Sequence, residues 1–288
     1  MEEIHNIIKK YNKGHVDDSL NSLEDIKAFS LVFFKDVSEV YDCITRLKNT
    51  KRNPTGYSLD DAPIIALLVK IWKLLKEIIV YYEKDNAEII SLFERPLIES
   101  SVTASYLLKS NSQAIEDYRK ISYKDRLRIL RELKEGSAFY ETKAGKRLLK
   151  SVQEKMNFEK LTIDDFQEQK RNRWRLQNKS FFDIFKEIEG KDLYACTYGM
   201  MSEAVHCSWN DSLDWCLSKN DDDTFDVYPF YQTADIRHIS PTLVFCNRPY
   251  KLWLQHIDIT DTYINDVLQW IENINSMIYV AFDELYDE

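Results

Sequence analysis

Apolar residues recur at steps of three and four along most of this chain, a spacing that predicts amphipathic helices rather than strands. SLEDIKAFSLVFFKDVSEVYDCITRLK, residues 22–48, reads as one long helix with a single apolar stripe. KRNPTGYSLDDAP then breaks the pattern, and Pro63 behind Asp60 and Asp61 opens a second helix from about Ile64. That helix is rich in Ile, Leu and Val with charge on one side only, which predicts a central position. A third helical pattern, 87–110, contains Pro96; proline removes a backbone donor, so a kink or tight junction is expected near Arg95. Further helices are expected over 113–136, 141–160, 162–172 and 180–190, with Thr162 and Ser180 as caps and Gly136 and Gly190 as stops. One more runs from about Leu193 to Cys207, and shorter and longer helical patterns over 210–220, 241–257 and 261–288 follow.

Only DDDTFDVYPFYQTADIRHIS, residues 221–240, lacks a helical period. Its aromatics, Pro229 and acidic run predict an ordered loop with room for a short strand. The fold class is therefore all-α, a multi-helix bundle with one irregular loop insertion near residues 219–240. Residues 1–288 read as a single helical domain, with 1–50 at its periphery and 257–288 as a closing helix.

Composition sharpens this picture. Gly and Pro number only six each in 288 residues, too few for a turn-rich sandwich or barrel. The most apolar run, 63–82, is interrupted at helical spacing by Lys70, Lys73, Lys76 and Glu77, so no membrane span is expected. The N-terminal stretch lacks the basic start and apolar core of a signal peptide. Five scattered cysteines without a C-x-x-C pair read as reduced, mostly packed thiols, and a cytoplasmic location is expected.

Net charge is −9, which argues against a protein that coats nucleic acid. The charge is unevenly spread. Residues 118–179 hold 18 Lys or Arg against 9 Asp or Glu, a local balance of +9 that leaves −18 elsewhere. That segment is a candidate docking surface for RNA or a nucleotide; solvated helix faces give the same pattern.

Phosphate-binding, dinucleotide-binding and hydrolase-elbow motifs are absent. His5, His15, His238 and His256 have no second ligand at helical spacing, and Asp221, Asp222, Asp223 and Asp226 lack the alternation of a calcium loop. No metal or cofactor is expected. Two constellations remain. Arg95 and Glu99 lie one helical turn apart among Leu92, Phe93, Leu97 and Ile98. Tyr194, Tyr198, Ser202 and His206 recur every fourth residue in YACTYGMMSEAVHCSW. Both polar sets sit on otherwise apolar faces and need partners, so their helices are expected to pack together.

ERPLIES, then RNRWRLQ, then YACTYGMMSEAVHCSW resemble an uncharacterised bacterial helical family catalogued as a domain of unknown function. The resemblance covers roughly 64–256, its pattern being R-x-x-x-E on one helix and Y-x-x-x-S-x-x-x-H on a later one. Arg95, Glu99, Tyr198, Ser202 and His206 match it residue by residue. A more distant resemblance is to HEPN-type helical proteins, many of them metal-independent ribonucleases of defence and toxin systems. Those carry Arg and His on a single helix, whereas here Arg95 would come from another.

The resemblance implies a bacterial effector of defence or toxin type acting on RNA or a nucleotide, as a metal-independent ribonuclease or a nucleotide-processing hydrolase or transferase. His206 would be the general acid/base, Arg95 the phosphate clamp and Glu99 its orienter, with Ser202 and Tyr198 holding substrate. The alternative is a non-enzymatic interaction module in which the same residues form a buried network. A protein partner would then meet surface helices or the aromatic loop at Tyr228, Phe230 and Tyr231, and a homo-oligomer is compatible with either reading.

Overall fold

Ser22 accepts a hydrogen bond from the Asp25 amide and starts helix α2, Leu23–Arg46, behind a short α1, Glu2–Ile8. The computed structural model describes residues 2–11, 16, 19–123, 129, 136–162, 174–206, 208–259 and 262–286. Helix α3, Ala62–Glu83, carries proline in its first turn, where a missing amide hydrogen costs nothing. Asn86 caps α4, Ala87–Lys109, through the Ile89 amide, and α4 runs unbroken past Pro96. Then come α5, Ser112–Ile121, a 3-10 turn at Ala138–Glu141, α6, Lys143–Phe158, and α7, Phe181–Glu189. Most of the expected 122–136 half of one helix, and the helix expected over 162–172, lie outside the described residues.

A continuous helical segment follows: α8, Asp192–Tyr194, a π turn, Ala195–Gly199, and α9, Met200–His206. Helix α10, Trp209–Trp215, leads into a small antiparallel hairpin, β1, Leu217–Lys219, and β2, Phe225–Val227. A 3-10 turn at Ile236–His238 precedes α11, Ser240–His256, and α12, Thr262–Tyr286. The chain is thus all-α, with the irregular 219–240 stretch built from the hairpin and an extended loop. That loop is tied down: the Ala87 amide donates to the Gln232 carbonyl, and the Ala234 amide to Asp85.

The chain forms two compact units, Met1–Lys109 with Phe185–Glu288, and Ser110–Ile184. In the larger unit, α2, α3, α4, α11 and α12 each pack against the next, and α12 returns to α2, closing a ring around the core. The Tyr41 and Tyr250 rings stack there at 4.2 Å, with Tyr41 donating to Asn247 and Tyr250 to the Leu68 carbonyl. Each buried hydroxyl therefore keeps a partner. The α4 face that meets this core is lined by Leu97, Ile98, Val102 and small residues, which lets neighbouring helices approach closely.

The smaller unit has its own core of Tyr123, Val152 and Met156, with Ile129 and Leu161 against it. Gly145 admits the close approach of α6 to the preceding turn: a Cβ there would collide with the Phe139 and Tyr140 backbone. Cys246 is buried and Cys43 half-buried, but Cys196 and Cys216 are exposed, so the expectation of mostly packed thiols fails for two of the four described cysteines. Among the described residues no helix is long and apolar enough to cross a membrane.

Candidate functional site

A stripe of residues four apart does not stay on one face of an ideal α-helix. Each four-residue step overshoots a full turn by about 40°, so three steps from Tyr194 to His206 would drift roughly 120°. The π turn at Ala195–Gly199 takes in about one extra residue and turns the face back by roughly 100°. Gly199 accommodates it, since a Cβ there would press within 3.3 Å of the Tyr194 carbonyl. Thr197 donates its hydroxyl to the Leu193 carbonyl, and Ser202 donates to the Tyr198 carbonyl at 2.7 Å. Those side chains bond carbonyls around the point where the regular ladder is interrupted.

Packing α9 on α4 then brings the two polar constellations together. Tyr198 is the hub. Its hydroxyl accepts from Arg95 Nε at 3.1 Å and Nη2 at 2.8 Å, and donates to Glu99 Oε1 at 2.5 Å. Arg95 Nε also lies 3.3 Å from Glu99 Oε1, and Arg95 Nη1 meets His206 Nε2 at 2.8 Å. Tyr194 flanks the hub, its ring 5.2 Å from that of Tyr198 and 5.3 Å from that of Phe185.

The cluster sits at the boundary between core and solvent. Tyr198 is 6% exposed, the Arg95 side chain 18% and the Glu99 side chain 41%. Burial first, then the Glu99 carboxylate, push the Tyr198 phenol well above its ordinary range, while Arg95 pulls weakly the other way. Burial works against the Arg95 charge, but Tyr198 and Glu99 outweigh it and hold the guanidinium protonated. Because arginine has no acceptor, His206 Nε2 must offer its lone pair, which puts the ring proton on Nδ1 in this geometry. The second hydrogens on Arg95 Nη1 and Nη2 have no partner among the described residues.

Arg95, Glu99, Tyr198 and His206 are therefore in direct contact. Ser202 shares the helix but bonds back to its own backbone. Residues 61–225 match a family of unknown function, DUF5677. The chain belongs to that family. The match spans all five of those residues. No curated protein and no solved structure matches the chain.

Two further polar clusters in this DUF5677 chain escaped the sequence reading. Asp61, its side chain 2% exposed, accepts from Arg52 Nε and Nη2 at 3.1 and 3.0 Å and lies 2.8 Å from His256 Nε2. Burial would raise the Asp61 pKa, but the hydrogen bonds from Arg52 and His256 prevail and lower it. This cluster ties the loop before α3 to the end of α11. Its sequence signal was Asp61 ahead of Pro63, which read only as part of a helix entry. The other is Glu94, next to Arg95 in the chain but buried, where desolvation pushes its carboxyl up to about 7 against the pull of His238. No group of three His, Cys, Asp or Glu is arranged to hold a metal ion among the described residues.

Proposed function

We propose that Arg95, Glu99, Tyr198 and His206 are the active site of a metal-independent enzyme acting on a phosphate ester, either RNA or a nucleotide. The supporting observation is the 2.8 Å contact of Arg95 Nη1 with His206 Nε2, in a guanidinium whose other side is fixed by Tyr198 and Glu99. A phosphate oxygen that takes the Arg95 Nη1 hydrogens displaces His206 Nε2 from that contact and frees its lone pair beside the bound phosphate. His206 then accepts the proton of an attacking hydroxyl or water as its oxygen bonds to phosphorus, Arg95 neutralises the charge that grows on the non-bridging oxygens, and the imidazolium returns the proton to the leaving oxygen as its bond to phosphorus breaks. Tyr198, kept protonated by burial and Glu99, is a positioning residue that fixes the guanidinium plane. The basic segment 118–179 would supply long-range attraction for the anionic substrate.

The test is cleavage of RNA and hydrolysis of nucleoside triphosphates by wild type, His206→Gln and Arg95→Lys, beside thermal melting of each. The wild type should turn over one of the two substrates. Both variants should stay folded, His206→Gln melting near the wild type and Arg95→Lys lower because its bonds to Tyr198 are lost, and both should lose roughly 100-fold or more in rate, because Gln cannot carry the proton and Lys lacks the two-pronged donor edge. A wild type inert on both substrates, or folded variants with full activity, would overturn the reading.

A second reading, an interaction module in which the cluster is structural, is favoured by one observation. Tyr198 spends its hydroxyl wholly inside the protein, and Ser202 bonds back to the Tyr198 carbonyl. On that reading His206→Gln leaves any cellular phenotype unchanged.

A further inference from the structure

The hairpin and the residues flanking it expose large apolar side chains. Trp209 is 61% exposed, Val227 77%, Phe230 68% and Tyr231 65%, with Phe225 at 42%. Trp209 meets Phe225 edge-on at 6.0 Å, Phe225 and Val227 share one face of β2, and Tyr228 meets Phe230 at 5.7 Å just beyond the strand. Aromatic side chains present 150–250 Å² each, so these residues leave on the order of 500 Å² of apolar surface in water. A patch of that size on one small element marks a recognition surface.

Pairing in the hairpin explains why the patch is one-sided. Leu217 faces Val227 and Lys219 faces Phe225, so those four share a face, while Ser218 and Asp226 share the other. The rim is acidic. Residues 209–231 hold Asp211, Asp214, Asp221, Asp222, Asp223 and Asp226 against Lys219 alone. Lys219 is itself committed to Asp223 at 2.6 Å. Such a rim repels nucleic acid and selects a surface with an apolar centre and basic margins.

The chain carries one. Helix α6 buries Gly145, Val152 and Met156 and turns Lys143, Lys146, Arg147 and Lys150 outward, all exposed. Around it Phe139 is 48% exposed, Leu148 38% and Phe158 75%. Among the described residues Lys143 and Arg147 make no ion pair, and the pairs of Lys146 and Lys150 with Glu141 and Glu154 are loose, at 3.8 Å. Long contacts between exposed groups contribute little and exchange readily. The two surfaces thus match in both respects, apolar against apolar and aspartate against lysine.

We propose that the acidic aromatic hairpin of one copy docks on the basic face of α6 of a second copy. Each copy offers both surfaces, so every copy can present its hairpin to a neighbour and receive a neighbour's hairpin on α6. The α6 lysines then serve either the partner copy or an anionic substrate, not both at once.

Charge exchange tests this. One variant carries Asp221→Lys, Asp222→Lys and Asp223→Lys; the other carries Lys143→Glu, Lys146→Glu and Lys150→Glu. Analytical ultracentrifugation should show a wild-type dimer that weakens as salt rises, two monomeric variants, and a one-to-one dimer when the variants are mixed, since each reversed surface then finds its complement. Phe230→Ser, which leaves charge untouched, should weaken the wild-type dimer by tenfold or more. Melting curves of the separate variants near that of the wild type establish that they are folded. A wild type monomeric at about 100 µM, where micromolar association is saturated, overturns the proposal. So does a dimer that persists in either variant, or a mixture of folded variants that stays monomeric.

Discussion

Replacing Tyr198 by Phe removes a single oxygen and keeps the buried ring, so it isolates the hub of the site. That oxygen accepts from Arg95 Nε and Nη2 at 3.1 and 2.8 Å and donates to Glu99 Oε1 at 2.5 Å. Hydrogen bonds to charged groups contribute about 1.5–3 kcal/mol each, and the loss is largest where the abandoned partner cannot reach water. Glu99, at 41% exposure, recovers solvent; Arg95, at 18%, recovers less but keeps Glu99 and His206. The expected net loss is therefore about 2–3 kcal/mol, well below the sum of three full bonds. At roughly 2–4 °C per kcal/mol for a body of this size, melting should fall by about 4–12 °C. Urea denaturation of wild type, Tyr198→Phe, Glu99→Gln and the double variant would measure it. The double variant should cost less than the two singles added, because each single already breaks the shared bond. A Tyr198→Phe midpoint within about 0.5 kcal/mol of wild type, inside the ordinary range for surface changes, would show that the hydroxyl network does not hold the guanidinium.

Glu94 predicts a pH effect of definite sign. Its folded carboxyl is pushed up to about 7 by burial, so the unfolded chain ionises first as pH rises and stability falls between about pH 4.5 and 7. Glu94→Gln should leave melting at pH 4.5 nearly unchanged and raise it at pH 8, by an amount on the order of 2–3 kcal/mol; equal melting of the two proteins at pH 8 would contradict the burial argument. Asp61 has the opposite sign: its lowered pKa stabilises the fold above the unfolded value near 4 and that stabilisation is lost on acidification. Asp61→Asn should therefore cost about 2–3 kcal/mol at pH 7, discounted for the part-exposed Arg52, and the difference should shrink below pH 4 in acid titrations followed by circular dichroism.

The helices were legible because each is specified locally. Apolar steps of three and four, Ser180 as a cap, Pro63 at a helix start and Gly190 at positive φ act within a few residues of themselves. The resemblance to a helical family of unknown function was legible as well, and the family match over residues 61–225 agrees with it. The partners of Arg95 were legible only as a need, since two polar stripes on apolar faces must meet something.

What only the tertiary structure decided was the wiring. An ideal helix would have rotated His206 roughly 120° away from Tyr194, and no periodicity reports the π turn between them, beside which Thr197 and Ser202 bond to backbone carbonyls. Tyr198, and not His206, became the centre because its position on that turn carries its hydroxyl between Arg95 and Glu99, a distance of about a hundred residues along the chain. Asp61 and Glu94 show the same separation. A carboxylate in a sequence is only a charge; whether it is held ionised by Arg52 and His256 or driven towards its neutral form is set by neighbours that folding brings from elsewhere.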